Sequence, residues 1–110
     1  MYVRCAYFDG FVDADVRERF DKFFVEQAIP LISKFPNLRG VRLLRGDWFE
    51  EGAGSIYQTI EMTFDSKEDM EAALSSDARD VNKANTQKSG VMSLFKGRVY
   101  HINHRIDAKW

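Results

Sequence analysis

Between Ser55 and Phe64 the chain reads SIYQTIEMTF, an alternation that sets Ile56, Gln58, Ile60, Met62 and Phe64 on one side and Tyr57, Thr59, Glu61 and Thr63 on the other. A period of two belongs to a half-buried strand. Tyr2–Phe8 predicts another strand, rich in aromatic and β-branched side chains and running into the turn signal Asp9-Gly10. Between the two, Val16, Phe20, Phe23, Phe24, Ala28 and Leu31 recur at helical spacing behind Asp13, a residue suited to an N-cap. Pro30 has no N–H to offer the carbonyl of Glu26 and its ring crowds that turn, which predicts a kink or a fresh start; Pro36 then helps to end the helix.

Val41–Trp48 predicts a second strand, interrupted by Arg42 and Arg45 and followed by a loop through Gly52 and Gly54. Ser66 can cap a helix whose first turn holds Glu68 and Asp69 and whose narrow apolar stripe is Met70, Ala73 and Leu74. After a break near Ser75-Ser76-Asp77 a more polar helical segment runs to about Lys88, Gly97–Arg105 forms the last strand, and Ile106–Trp110 is a tail. The order is βαββαβ. With right-handed crossovers this gives an α+β, ferredoxin-like, four-stranded antiparallel sheet with both helices on one face, as a single domain over residues 1–110.

The first strand is apolar on both sides, with Val3, Cys5 and Tyr7 on one and Tyr2, Ala6 and Phe8 on the other, and strands two and four also carry large side chains on both sides. A sheet face of that composition, left open, is an interaction patch. Two copies packed face to face as a barrel would bury both, and a symmetric dimer is the commonest closed solution.

The chain has 110 residues, 45% of them hydrophobic, enough for one core. Sixteen basic residues against seventeen acidic ones create no global field for nucleic acid or an anionic membrane. No apolar run approaches the roughly 18 residues that span a bilayer, and no secretory signal is evident. A lone cysteine, Cys5, points to a reducing compartment, with cytoplasm the expected location.

Three segments resemble one family. Pro30-Leu31 at the end of the first helix, Pro36-Asn37-Leu38 after it, and Glu61-Met62-Thr63-Phe64-Asp65-Ser66 are similar to the His-x-Pro-Leu, Pro-Gly-Leu and Glu-x-x-Phe-Asp-Ser segments of EthD-type dimeric α/β-barrel proteins. The likeness covers most of the chain up to Ser66 and is less clear over residues 77–95. It implies a homodimeric barrel with a small-molecule cavity between sheet and helices. The wider superfamily includes cofactor-independent lactone isomerases, small monooxygenases and accessory proteins of degradation pathways. In the isomerases a His near the end of the first helix acts on the substrate beside a Tyr at the start of strand two. Those positions correspond here to Ala28 and Val41, which cannot move a proton.

Other groups could carry chemistry. Glu61, on the side of Tyr57 and Thr59, is a candidate general base, with Arg4 on the neighbouring strand as its partner; a structural Arg4–Glu61 ion pair accounts for the same residues. His101 and His104 stand three apart on a strand, so they point to opposite faces and cannot chelate one metal ion. His101, on the side of Val99 and Asn103, is the one expected to face the cavity, as catalytic group or as a satisfied structural histidine. Gln27 could hydrogen-bond a ligand. Trp48-Phe49 could stack on one or cover the dimer seam. Cys5 reads as a small core residue or a nucleophile.

RNA-recognition domains share the βαββαβ order, but strand three here has Tyr57 alone and an acidic Glu61 where a basic, doubly aromatic pattern is needed. Nucleotide fingerprints are missing, and no ligand set for a metal or haem is visible, so no cofactor is expected. Two functions fit: a non-catalytic ligand-binding or accessory barrel, or a cofactor-independent isomerase, lyase or monooxygenase acting on a small aromatic or lactone-like metabolite. The expected ligand-binding residues are Arg4, Gln27, Ala28, Val41, Trp48, Tyr57 and Thr59.

Overall fold

In the computed structural model, which describes residues 1–110, β1 (Tyr2–Val12), β2 (Gly40–Arg45), β3 (Ile56–Phe64) and β4 (Phe95–Arg105) form one antiparallel sheet in the order β2-β3-β1-β4. The helices α1 (Arg17–Phe23), α2 (Ile29–Ile32), α3 (Lys67–Leu74) and α4 (Asp77–Ser89) join it in the βαββαβ order. The buried side chains show which face they cover. Ala6 and Phe8 of β1 pack with Ile60, Met62 and Phe64 of β3 against Phe20, Phe23 and Phe24. Phe20 is the hub, with Phe8, Phe24, Tyr57 and Phe95 all in aromatic contact around it.

Asp9-Gly10 is not a turn. β1 continues through it to Val12 because Gly10 lies opposite Gly97 of β4, where the strands approach too closely for any side chain. Both glycines hold positive φ, 156° and 150°, which other residues rarely adopt. The helix consequently starts later than expected, after Val16, and Asp13 pairs with Lys96 at 2.6 Å instead of capping it with its side chain.

The proline-induced irregularity takes the form of a wide turn rather than a sharp kink. Residues 24–28 form a π-helical turn in which the Ile29 N–H reaches the Phe24 carbonyl, five residues back, and α2 resumes with Pro30 in its first turn, where a missing N–H costs least. α2 ends at Ile32, before Pro36, and Asn37 takes the left-handed conformation of the turn into β2.

β2 is shorter than the expected Val41–Trp48, stopping at Arg45; Trp48 lies beyond it and is 79% exposed. Ser66 caps α3 and Ser76 caps α4, each accepting a backbone N–H. Gly90, left-handed, ends α4, and a short 3₁₀ turn at Val91–Leu94 leads into β4. No helix is long and apolar enough to cross a membrane.

Candidate functional site

A cavity of about 300 Å³ lies between the sheet and the helical layer. β1 contributes Arg4, Ala6 and Phe8; β3 contributes Ile60 and Met62; β4 contributes Val99 and His101. These share a face because the antiparallel register sets Arg4 opposite Met62 and Asn103, and Ala6 opposite Ile60 and His101. From the helical side come Phe24, Ala28 and Ile32, and then Arg79, Asn82 and Lys83 of α4. The π-helical turn leaves Phe24 and Ala28 both buried on this floor. Apolar walls with a few convergent polar groups are the ordinary make-up of a small-molecule site.

The polar groups are strained by their setting. Burial, with Arg79 adding, lowers the proton affinity of Arg4. Arg4 donates from Nη1 to Asn103 Oδ1 at 2.9 Å, but its Nε is shielded from solvent and has no acceptor; Asn82 Oδ1 is likewise buried and unpartnered. His101 lines the cavity from β4 and is exposed as a residue. Even so, desolvation by the surrounding protein, then the charges of Arg4 and Arg79, hold it below the usual histidine range.

The other sequence candidates fall elsewhere. Glu61 is on the opposite, outer face of the sheet, where its carboxylate meets Arg42 at 2.8 Å, so the expected Arg4–Glu61 pair does not form. Neighbouring strands put directly paired residues on one face; Arg4 is paired with Met62, and Cys5 with Glu61. Thr59 is on that outer face, opposite Tyr7 and Leu44. Tyr57 is not on its side. A register slip between Phe8 and Asp9 leaves Tyr57 without a partner in β1, and it turns with Gln58 toward the helices. There its hydroxyl donates to Asp21 at 2.6 Å, and burial together with that bond pushes its phenol up to about 12.

Arg45 completes this second polar cluster, donating to the fully buried Gln58 at 2.9 Å and to the Asp21 carbonyl at 3.1 Å. The cluster ties β2 and β3 to α1 and lies outside the cavity lining. Gln27 accepts from Asn85 on the helical surface, Val41 packs half-buried against the core, and Trp48 is in solvent. Cys5 is buried on the outer face, its thiol pushed up by burial, which suits a packed side chain and not a nucleophile. His104 also faces outward, its Nε2 3.0 Å from the Tyr7 hydroxyl.

Arg79, Asn82 and Lys83 are not among the expected site residues because the more polar helical segment to about Lys88 carries no chemical motif. The available signal was the spacing of Arg79 and Lys83, four apart and so on one helical face.

Comparison with solved structures gives the architecture a name. An ethyl tert-butyl ether D (EthD) family protein from Bacillus halodurans C-125 superposes with a TM-score of 0.76 over 96% of this chain and 97% of that one, at 21% identity. This chain has the EthD-type ferredoxin-like fold. A dimeric protein of ferredoxin-like fold from Bacteroides fragilis, 12% identical, matches 96% of this chain and 95% of its own with a TM-score of 0.66. SnoaB, a cofactor-independent oxygenase from Streptomyces nogalater, 10% identical, matches 98% and 94% with a TM-score of 0.64. No family model and no curated protein matches the chain.

Proposed function

We propose that this EthD-type chain is a cytoplasmic small-molecule-binding protein, accessory to a degradation pathway, that works as a homodimer with one ligand cavity per chain. The observation that carries the reading is the sheet–helix cavity, whose floor of Phe8, Phe24, Ala28 and Ile60 is apolar while Arg4 keeps an unpartnered Nε within it. A polar atom cut off from water and left unpaired costs free energy that a ligand can return. The outer sheet face supports dimerisation. The Tyr7 and Tyr100 rings pack there in a tilted pair with centroids 5.6 Å apart, and Leu44 and Ile102 are more than two-fifths exposed in the single chain. In a face-to-face dimer Glu61 and Arg42 would be covered as a pair.

Calorimetric titration with 1-naphthamide, an uncharged planar probe, tests the cavity directly. Ala28→Leu extends a side chain into the floor and should abolish binding while the protein stays folded. Failure of the native protein to bind either this probe or its carboxylate analogue, 1-naphthoate, would sink the reading, as would equal binding by the variant. Sedimentation at several concentrations tests the dimer.

A second reading, a cofactor-independent enzyme, rests on His101. A histidine held below its ordinary range is neutral near pH 7 and can take a proton from a bound ligand, and Arg4 and Arg79 stand where they can stabilise the anion so formed. His101→Gln would then abolish turnover while leaving affinity nearly unchanged.

A further inference from the structure

Positive charge converges on the cavity with nothing to balance it. Arg4 enters from the sheet, Arg79 and Lys83 from one face of α4, and the lining contains no aspartate or glutamate. Seven ion pairs form across the chain and none involves these three cations. Arg79 is close enough to disfavour charge on both Arg4 and His101. Arg4, half-buried over an apolar floor with Arg79 nearby, has neither full hydration nor a counter-ion to compensate it, which makes the empty cavity costly.

A structural role would leave these groups differently arranged. Elsewhere a cation is either paired within the fold, as Arg42 is with Glu61, Arg39 with Asp65 and Lys96 with Asp13, or exposed to solvent, as Arg17, Arg19 and Lys22 are, whereas Arg4 and Arg79 are half-buried and unpaired. Around the cavity the only side-chain partner of Arg4 is a neutral amide, Asn103. That contact uses Nη1 and leaves the Nε–H without an acceptor. A guanidinium offers its remaining donors in a fixed fork that fits the two oxygens of a carboxylate better than any single acceptor.

We infer that the ligand is an amphipathic organic anion, with a carboxylate held between Arg4 and Arg79 and an aromatic or branched hydrocarbon body on Phe8, Phe24 and Ile60. Lys83 adds long-range attraction. This rests on the ligand-binding reading above and adds the charge and shape of what is bound. An anion also offsets the two guanidinium charges that add to the desolvation of His101, raising its proton affinity in part.

The test compares 1-naphthoate with 1-naphthamide by calorimetry on the native protein at neutral pH. The pair has the same ring and differs in charge. We expect naphthoate to bind at least about tenfold more tightly, the discrimination of one good charge-assisted contact. Arg79→Gln, on a helix surface and tolerant of change, should bring the two affinities within about threefold, and Arg79→Lys should recover part of the difference. Lys88→Gln, on the same helix but away from the cavity, should leave the preference intact. Arg4→Gln provides the sheet-side counterpart, read only if its melting curve stays cooperative. Equal binding of acid and amide by the native protein overturns the anion assignment and leaves the binding cavity standing. Binding of neither compound overturns both. A naphthoate preference that survives Arg79→Gln and Arg4→Gln overturns the assignment of these side chains.

Discussion

Replacing Gly97 by alanine places a methyl group where the structure has none to spare. A Cβ built on Gly97 lies 2.1 Å from the Asp9 carbonyl oxygen and 2.7 Å from the Gly10 Cα, so one strand must move. The substituted residue would also have to keep a φ of 150°, a strain of order 1–3 kcal/mol for a non-glycine residue. The strands must also part to clear the collision, and about two ladder hydrogen bonds are lost at roughly 0.5–1.5 kcal/mol each. Fraying gives no cheap escape, because the ladder beyond ends in Val12 and Phe95, 1% and 9% exposed, which would leave the core. We expect a loss of about 4 kcal/mol, a large share of the stability of a domain this size. With an unfolding entropy of roughly 2.1 cal/mol/K per residue, that lowers the melting temperature by about 17 °C.

Urea and thermal unfolding of Gly97→Ala, Gly10→Ala and the double variant, at one fixed protein concentration, supply the assay. Both methyl groups collide with the same crossing, so once one has parted the strands the other should cost little. The double variant should fall short of the summed single effects by more than about 1 kcal/mol. A loss below about 1 kcal/mol for Gly97→Ala, or strictly additive effects, would refute the close-approach argument.

Phe20→Ala removes the hub of the aromatic core and should cost about 3–5 kcal/mol in urea unfolding. His101 titrates below its ordinary 6.5 in the folded chain, so the unfolded chain takes up its proton first; stability is full above that value and is lost as pH falls through it toward the folded one. His101→Gln should flatten that acid limb. Tyr57, ordinarily near 10.0 and here about 12, has the opposite limb: the folded chain keeps the proton longer, so stability falls as pH rises between those values. Tyr57→Phe should flatten the alkaline limb and remove the slowest-ionising phenol in an absorbance titration. Glu61→Gln should weaken self-association in sedimentation while changing naphthoate affinity less than about twofold, since the carboxylate is on the other face of the sheet from the cavity.

Much of the fold was legible because its signals are local. SIYQTIEMTF alternates, the phenylalanines of the first helix recur at helical spacing, Ser66 does cap the helix that follows it, and the break near Ser75-Ser76-Asp77 does separate two helices. What escaped depends on partners far along the chain. Nothing near Gly10 announces that Gly97 will lie across from it, so a pair of glycines at a strand crossing reads as a turn and a strand start. Tyr57 changes face through a register slip set by the opposing strand, which no alternation can reveal. The cavity was partly legible: Arg4, Ala28 and His101 line it, whereas Glu61 does not. The error lay in pairing Arg4 with the nearest carboxylate on the adjacent strand without fixing register, and a shift of one residue changes faces.

β4 is an edge strand of eleven residues, mostly exposed, with one side of its backbone unpaired. A strip of that length could add a strand from another molecule and grow into an aggregate. It carries Lys96, Arg98 and Arg105 and no acidic residue. Each is held in an ion pair, Lys96 with Asp13, Arg98 with Asp9 and Arg105 with Asp107, so a second β4 approaching edge to edge would have to crowd or break these pairs and desolvate their charges. The charges on this strand therefore act as gatekeepers against open-ended strand addition, and lowering their number should be felt first as a loss of solubility.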